Sequence, residues 1–142
     1  KGHAAGNELN GQTTAHDLTM GHMLSKSTDY IGTVLSKRPG LCSRERPTLT
    51  GLRPVNRSKT LIAGSHIFAK GKEHITKNDE GWISSVAFSP TLGHSIGLGF
   101  IKYGPKRIGE VITSVNPLQG ENIEAEVVSP HFIDPEGTRL RG

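Results

Sequence analysis

Between Thr48 and Val128 apolar residues recur at every second position rather than every third or fourth, and that period suits extended strands with one buried face. "ENIEAEVV" places Ile123, Ala125 and Val127 on one side and Glu124 and Glu126 on the other, the pattern of a half-buried antiparallel strand. "GEVITSV" reads the same way, with Val111, Thr113 and Val115 on one face. "TLTGLRPV", "TLIAGSHIF", "GWISSVAF" and "HSIGLGFIKY" bring the strand candidates to six, separated by turns rich in Gly, Pro, Asn and Lys. The expected fold class is mainly β: a small antiparallel β-barrel of about six strands, preceded by an N-terminal helical segment.

The middle of the pattern, "GWISSVAFSPTLGHSIGLGF", holds two of these strands and their turn. Ser89-Pro90 ends the first, because proline supplies no ladder donor, and Thr91 to His94 reverse the chain. In the second, Ile96, Leu98 and Phe100 are expected to point inward. Gly97 and Gly99 then share the opposite face, where missing side chains allow close packing or the approach of a flat ligand.

Upstream the period differs. "TTAHDLTMGHMLSKS", residues 13–27, predicts a helix capped by Thr13 or Thr14, with Leu18, Met20, Met23 and Leu24 on one side. Gly21 weakens it by about 1 kcal/mol relative to alanine. A second short helix is expected from Asp29 to Arg38, stopped by Pro39-Gly40.

At 142 residues the chain suffices for one ordinary domain that buries roughly two thirds of its unfolded surface. The single cysteine, Cys42, cannot form an internal disulfide; no apolar run approaches the ~20 residues that span a bilayer, and "KGHAAGNELNGQ" lacks a signal-peptide core. The expectation is a cytoplasmic protein with no membrane partner. Because the sequence starts at a lysine, it is also expected to be part of a longer chain.

The net charge of +4 is unevenly spread. Lys37, Arg38, Arg44, Arg46, Arg53, Arg57 and Lys59 face only Glu45 locally, while Glu121, Glu124, Glu126, Asp134 and Glu136 gather near the end. Such a patch could draw phosphates or a polyanionic tail; it reads more simply as a solvated, partly ion-paired surface. Nucleic acid is not an expected partner, since no aromatics interleave the basic run.

Catalytic motifs fail one by one. "GLGFIK" lacks the third glycine and the helix of a dinucleotide fingerprint, and "AKGKE" lacks the first glycine and the hydroxyl of a phosphate loop. The seven histidines, at 3, 16, 22, 66, 74, 94 and 131, form neither HxH nor HExxH, so no metal site is expected. His94 reads as a partly exposed turn residue and Cys42 as a plain loop thiol. Ser84 and Ser85 lack a nucleophile elbow. No catalytic residue is assigned to this chain.

One segment does carry a family likeness. "DEGWISSVAFSPTLGHSIGLGFIKYGPKRIGE" resembles the C-terminal barrel of the glycine-cleavage aminomethyltransferase family, where a Gly-x-Val-Thr-Ser stretch leads into Ser-Pro-Thr-Leu and an apolar strand. More narrowly, "KGHAAGNELNGQTTAHDLTMGHML", "DYIGTVLSKRP", "SPTLGHSIGLGF", "GPKRIGE" and "DPEGTRLRG" together resemble the C-terminal end of the alpha subunits of heterotetrameric sarcosine oxidases.

The resemblance implies a division at about residue 40. Residues 1–40 would be the helical tail of an aminomethyltransferase-like folate-binding subdomain, and 45–142 the C-terminal barrel. It further implies that this unit binds tetrahydrofolate and receives the one-carbon unit of sarcosine, oxidised at a flavin in a partner subunit. The products would be glycine, hydrogen peroxide and 5,10-methylenetetrahydrofolate. NAD, FAD and FMN would sit elsewhere in the assembly.

Of the family's folate contacts, the pterin-binding glutamate would fall just before Lys1. The basic residue near the end of the long helix falls at Ser27 with Lys26 beside it, so Lys26 and Ser27 are the expected folate vicinity, Lys26 by attraction to the folate glutamate carboxylate. Trp82 stands where close relatives carry a smaller or imidazole side chain, and reads as core or interface. Two alternatives stay open: a non-catalytic docking barrel, and a relative in glycine cleavage or dimethylglycine oxidation, against which "DPEGTRLRG" argues.

Overall fold

Each of the six stretches with period-2 patterning holds a strand. A computed structural model describes residues 8, 10–43 and 45–142; His3 and Arg44, named above, lie outside the described residues. The strands are β1 (Pro47–Pro54), β2 (His66–Ala69), β3 (Gly81–Ser89), β4 (His94–Lys102), β5 (Val111–Asn116) and β6 (Glu121–Val128). They close in the order β1-β4-β3-β2-β5-β6, and β6 returns to β1 through pairs such as Gly51↔Val128 and Arg53↔Glu126. All pairings are antiparallel. Closure leaves the sheet without a free edge.

The interior is filled by Leu52, Leu61, Ile67, Ile83, Ile101, Ile112, Ile123, Ala125 and Val127. Strand β6 presents the face read from its alternation, and β3 ends at Ser89 before the turn, as expected. The stretch "TLIAGSHIF" is strand only from His66, because residues 60–65 bend inward to place Leu61 as a plug. Its backbone still reaches β3, with Gly64 N–H donating to Ile83 O at 2.8 Å and Ile83 N–H to Ser65 O at 2.9 Å.

Two strands face the other way from the expectation. In β4 the interior side carries Gly97, Gly99 and Ile101, whereas Leu98 and Phe100 lie on the outer side. A Cβ on Gly99 would stand 2.9 Å from Leu52 Cδ1, and one on Gly97 3.0 Å from Leu61 Cδ1, so a leucine of the neighbouring strand β1 and one from the segment before β2 fill the glycine faces. No flat ligand has room there. In β5 the buried residues are Ile112, Ser114 and Asn116, not Val111, Thr113 and Val115, since Ile112 and Ser114 pair with the inward Ala125 and Ile123. A narrow barrel accepts small residues inside, and a second apolar layer outside β4 removes the usual meaning of alternation.

The outer layer belongs to the N-terminal segment. Leu18 packs with Leu49 and Phe100, joined by Met20, Trp82 and Leu98. Where a helix over 13–27 and a second short one over 29–38 were expected, single turns stand. Thr14 and Asp17 cap one another, with Thr14 N–H on Asp17 Oδ2 at 2.9 Å and Asp17 N–H on Thr14 Oγ1 at 3.2 Å. The turn ends at once, because Thr19 adopts φ 58° and Met20 N–H closes back on Ala15 O at 2.8 Å. Ending there drops Leu18 onto the barrel. Helix α1 spans only Thr33–Ser36, and α2 covers Pro39–Cys42. Pro39 thus starts a helix instead of only stopping one, since its missing N–H would be unpaired at that position anyway. A last turn, α3, covers Thr138–Arg141.

Gly81 opens β3 with φ 154°, and a Cβ there would lie 1.8 Å from the carbonyl oxygen of Phe100. No other residue fits the crossing. Two residues later, a bulge between Ile83 and Ser85 re-phases the strand, and Ser84 Oγ donates to Leu98 O at 3.3 Å.

Candidate functional site

Lys26 and Ser27 lie on an exposed turn rather than a helix end. The turn is held by Thr28 N–H donating to Ser25 Oγ at 3.0 Å. Beside it opens a cleft of about 230 Å³ whose walls include Thr14, His16, Leu24, Tyr30, Ile31 and Ser36; neither Lys26 nor Ser27 is among its lining residues. Tyr30 is fixed by Thr33, whose Oγ1 donates to Tyr30 O at 2.7 Å and accepts Tyr30 N–H at 2.9 Å. The cleft therefore offers an aromatic face, a hydroxyl and an imidazole, with a flexible cation close in sequence.

What positions this cleft against the barrel is an ion pair that sequence reasoning missed. Arg46 Nη2 lies 2.8 Å from Asp17 Oδ2, and its Nε lies 3.3 Å from both carboxylate oxygens. The same guanidinium donates to Gly40 O at 3.1 Å and to Gln12 O. Leu49 N–H completes the joint on Asp17 O at 2.7 Å. The signal in sequence was faint: an Asp three residues after a Thr, and one arginine in a run of several.

Of the six described residues of the basic run, Arg46, Arg53 and Lys59 form ion pairs. Arg53 meets Glu126 at 2.6 Å and Lys59 meets Glu121 at 2.6 Å, so the clustered acids of β6 answer the bases of β1 and its following loop. Arg57 Nη1 donates toward His94 Nε2 at 3.2 Å, while His94 Nδ1 bonds Ser95 O at 2.8 Å. His94 is consequently buried rather than a partly exposed turn residue. Arg107 binds Glu80 at 2.8 Å and Glu110 at 2.6 Å. Its hydrogen bonds hold the Glu110 carboxyl below the ordinary carboxylate range and raise the guanidinium's own pKa.

Trp82 stacks on Phe100 with ring centroids 5.2 Å apart and planes 20° from parallel. It belongs to the outer core, as its strand position implied. Cys42 is exposed, its thiol donating to Ser36 O at 3.1 Å. Among the described residues no group of three or more His, Cys, Asp or Glu could hold a metal, and no helix is long and apolar enough to cross a membrane.

Residues 48–134 match the family described as the glycine cleavage T-protein C-terminal barrel domain. Sarcosine oxidase subunit alpha of Rhizobium meliloti (strain 1021) is 38% identical over 141 residues, which is 99% of this chain and 14% of that protein. Its counterpart from Corynebacterium sp. (strain U-96) is 33% identical over 140 residues, 96% of this chain and again 14% of the relative. The chain thus spans about a seventh of the length of these curated relatives. A crystal structure of glycine cleavage system aminomethyltransferase T from Bartonella henselae shares the fold, with a TM-score of 0.67 and 22% identity over 89% of this chain and 34% of that one.

Proposed function

The chain belongs to the glycine cleavage T-protein C-terminal barrel family, and from that premise we propose that it is the C-terminal folate-domain portion of a sarcosine oxidase alpha subunit. The assembled enzyme would oxidatively demethylate sarcosine to glycine and pass the one-carbon unit to tetrahydrofolate. One observation carries this reading: identity of 38% runs over 99% of the chain, so it includes the N-terminal segment that precedes the family's barrel. Residues 1–40 would then be the tail of the folate-binding subdomain and 45–142 the barrel that closes it. Flavins and NAD would bind elsewhere in the assembly, and other subunits would be the partners.

The residues present fit part of a folate and not all of it. A cleft of about 230 Å³ is smaller than the roughly 300–1,000 Å³ that encloses a drug-sized ligand. Tyr30, Leu24 and His16 supply a wall, and exposed Lys26 supplies a charge for a carboxylate tail. Tetrahydrofolate, when bound, supplies the nucleophilic nitrogens that accept the one-carbon unit; this chain's share is to hold and shield it.

Calorimetric titration of tetrahydrofolate into the full-length subunit, wild type and Lys26→Ala, tests the reading. Loss of one exposed charge contact is expected to weaken binding about fivefold, corresponding to ~1 kcal/mol. A second reading, a unit that only docks other parts of the enzyme, is favoured by the exposed Met23, Ile31, Val34 and Leu35 of the segment before the barrel. Unchanged folate affinity in Lys26→Ala would support it instead.

A further inference from the structure

On the side of the barrel where β2 meets β5, a cleft of about 220 Å³ opens between the β2–β3 loop and the β5–β6 turn. Its walls include Phe68, Val115, Pro117, His66, His74 and Asp79. His66 Nδ1 lies 2.7 Å from Asp79 Oδ2, and Asp79 is itself held by Gly81 N–H on Oδ1 at 3.0 Å. His74 leans on Phe68 with centroids 5.0 Å apart. The volume is too small for an ordinary small-molecule pocket but suits a single anchoring side chain.

Next in sequence to the lining residues, each flanking loop carries an exposed apolar side chain on a hydrogen-bonded backbone. Leu118 is 94% exposed, yet its N–H and that of Gln119 bond Asn116 Oδ1 at 3.0 and 3.2 Å, and Gly120 N–H closes on Asn116 O at 2.9 Å. Opposite, Ile75 is 48% exposed. Asn78 pins its loop, with Nδ2 on Glu73 O and N–H on Ile75 O, both at 2.9 Å. A fixed, exposed leucine is a poor design for a surface that meets only water, and a good one for a contact whose ordering entropy is already lost.

Charge selects the occupant. Lys72 and Lys77, which flank the lining His74 and Thr76 in sequence, are exposed, with no ion-pair partner among the described residues, and Glu73 is the one carboxylate between them. Asp79 is engaged by His66, and Lys70 by Glu124 at 2.8 Å. We propose that this cleft seats a partner subunit's segment that presents one apolar side chain flanked by carboxylates. The apolar group enters between Phe68, Val115 and Pro117, Ile75 and Leu118 close over it, and the carboxylates meet Lys72 and Lys77. The inference rests on the multi-subunit reading above.

The test uses the full-length subunit co-expressed with its partner subunits. Hydrogen exchange is compared between the assembled enzyme and the separated subunit, and assembly affinity is measured for Leu118→Glu, Lys77→Glu and, as a control elsewhere on the barrel, Phe88→Ser, whose side chain is 66% exposed. Amides of residues 73–79 and 116–120 are expected to gain at least tenfold protection on assembly. Leu118→Glu should weaken assembly at least tenfold and Lys77→Glu about threefold, with Phe88→Ser unchanged. Assembly that leaves those amides unprotected overturns this proposal alone. Protection already complete in the separated subunit assigns the cleft to the subunit's own chain and overturns it too. A wild-type subunit that joins no partner overturns the multi-subunit reading together with it.

Discussion

The barrel and the segment before it solve the burial problem in opposite ways. The six strands bond to one another all the way round and enclose an apolar interior whose members are at most 4% exposed. Residues 10–43 contain only single turns; Leu18 is their one buried apolar side chain, while Met23, Ile31, Val34 and Leu35 face outward. Isolated turns this short have no stability of their own. The segment stays in place because Asp17 and Arg46 tie it to the start of β1 and because Leu18 lies on Phe100 and Leu49. A fold can thus complete itself in one region and leave the neighbouring region's apolar side chains exposed.

The sharpest way to break the contrast is Gly81→Ala. The added Cβ meets a backbone oxygen at 1.8 Å with φ at 154°, and neither can give way, so loss of more than about 3 kcal/mol is expected in urea unfolding. Leu52→Ala, deep in the interior, should cost about 2–5 kcal/mol and lower the thermal midpoint of the barrel as a unit.

Asp17→Ala should act on the other region. It removes a nearly buried acceptor from Arg46, an effect of about 1–3 kcal/mol. Limited proteolysis should then cut within 10–43 while the strands keep their hydrogen-exchange protection; equal loss across both regions would contradict the division.

Acid acts more weakly. Arg107 lowers the Glu110 pKa, so that pair's contribution is fully present above the carboxylate's ordinary value near pH 4.3 and fades as pH falls through the depressed folded value. Glu110 is about two-fifths exposed, so solvent screening keeps the effect small. Stability measured from pH 5 downward should fall less steeply in Glu110→Gln than in wild type. Smallest of all, Lys26→Ala should leave stability within about 0.5 kcal/mol, since its exposed turn buries nothing.

Much of the barrel was legible before any coordinates. Each of the six strand candidates holds a strand, and β6 has the boundaries its alternation suggested. The Asp17–Arg46 tie was not legible, because 29 residues separate the partners and nothing local marks either as special. The clefts were equally hidden. Each gathers residues from stretches that read separately as helix, strand or turn, such as His66 with Pro117 and Thr14 with Ser36.

Local periodicity determined that this chain makes short antiparallel strands, and turn residues such as Ser89-Pro90 determined where they reverse, because both depend on neighbours along the backbone. Which face of β4 and β5 points inward was decided only on closure. Leu52 and Leu61 arrive from elsewhere to fill the space over Gly97 and Gly99, and Leu18 arrives to cover Phe100. A strand with apolar cover on both sides carries no alternation that names its inside; only the packing of distant residues does.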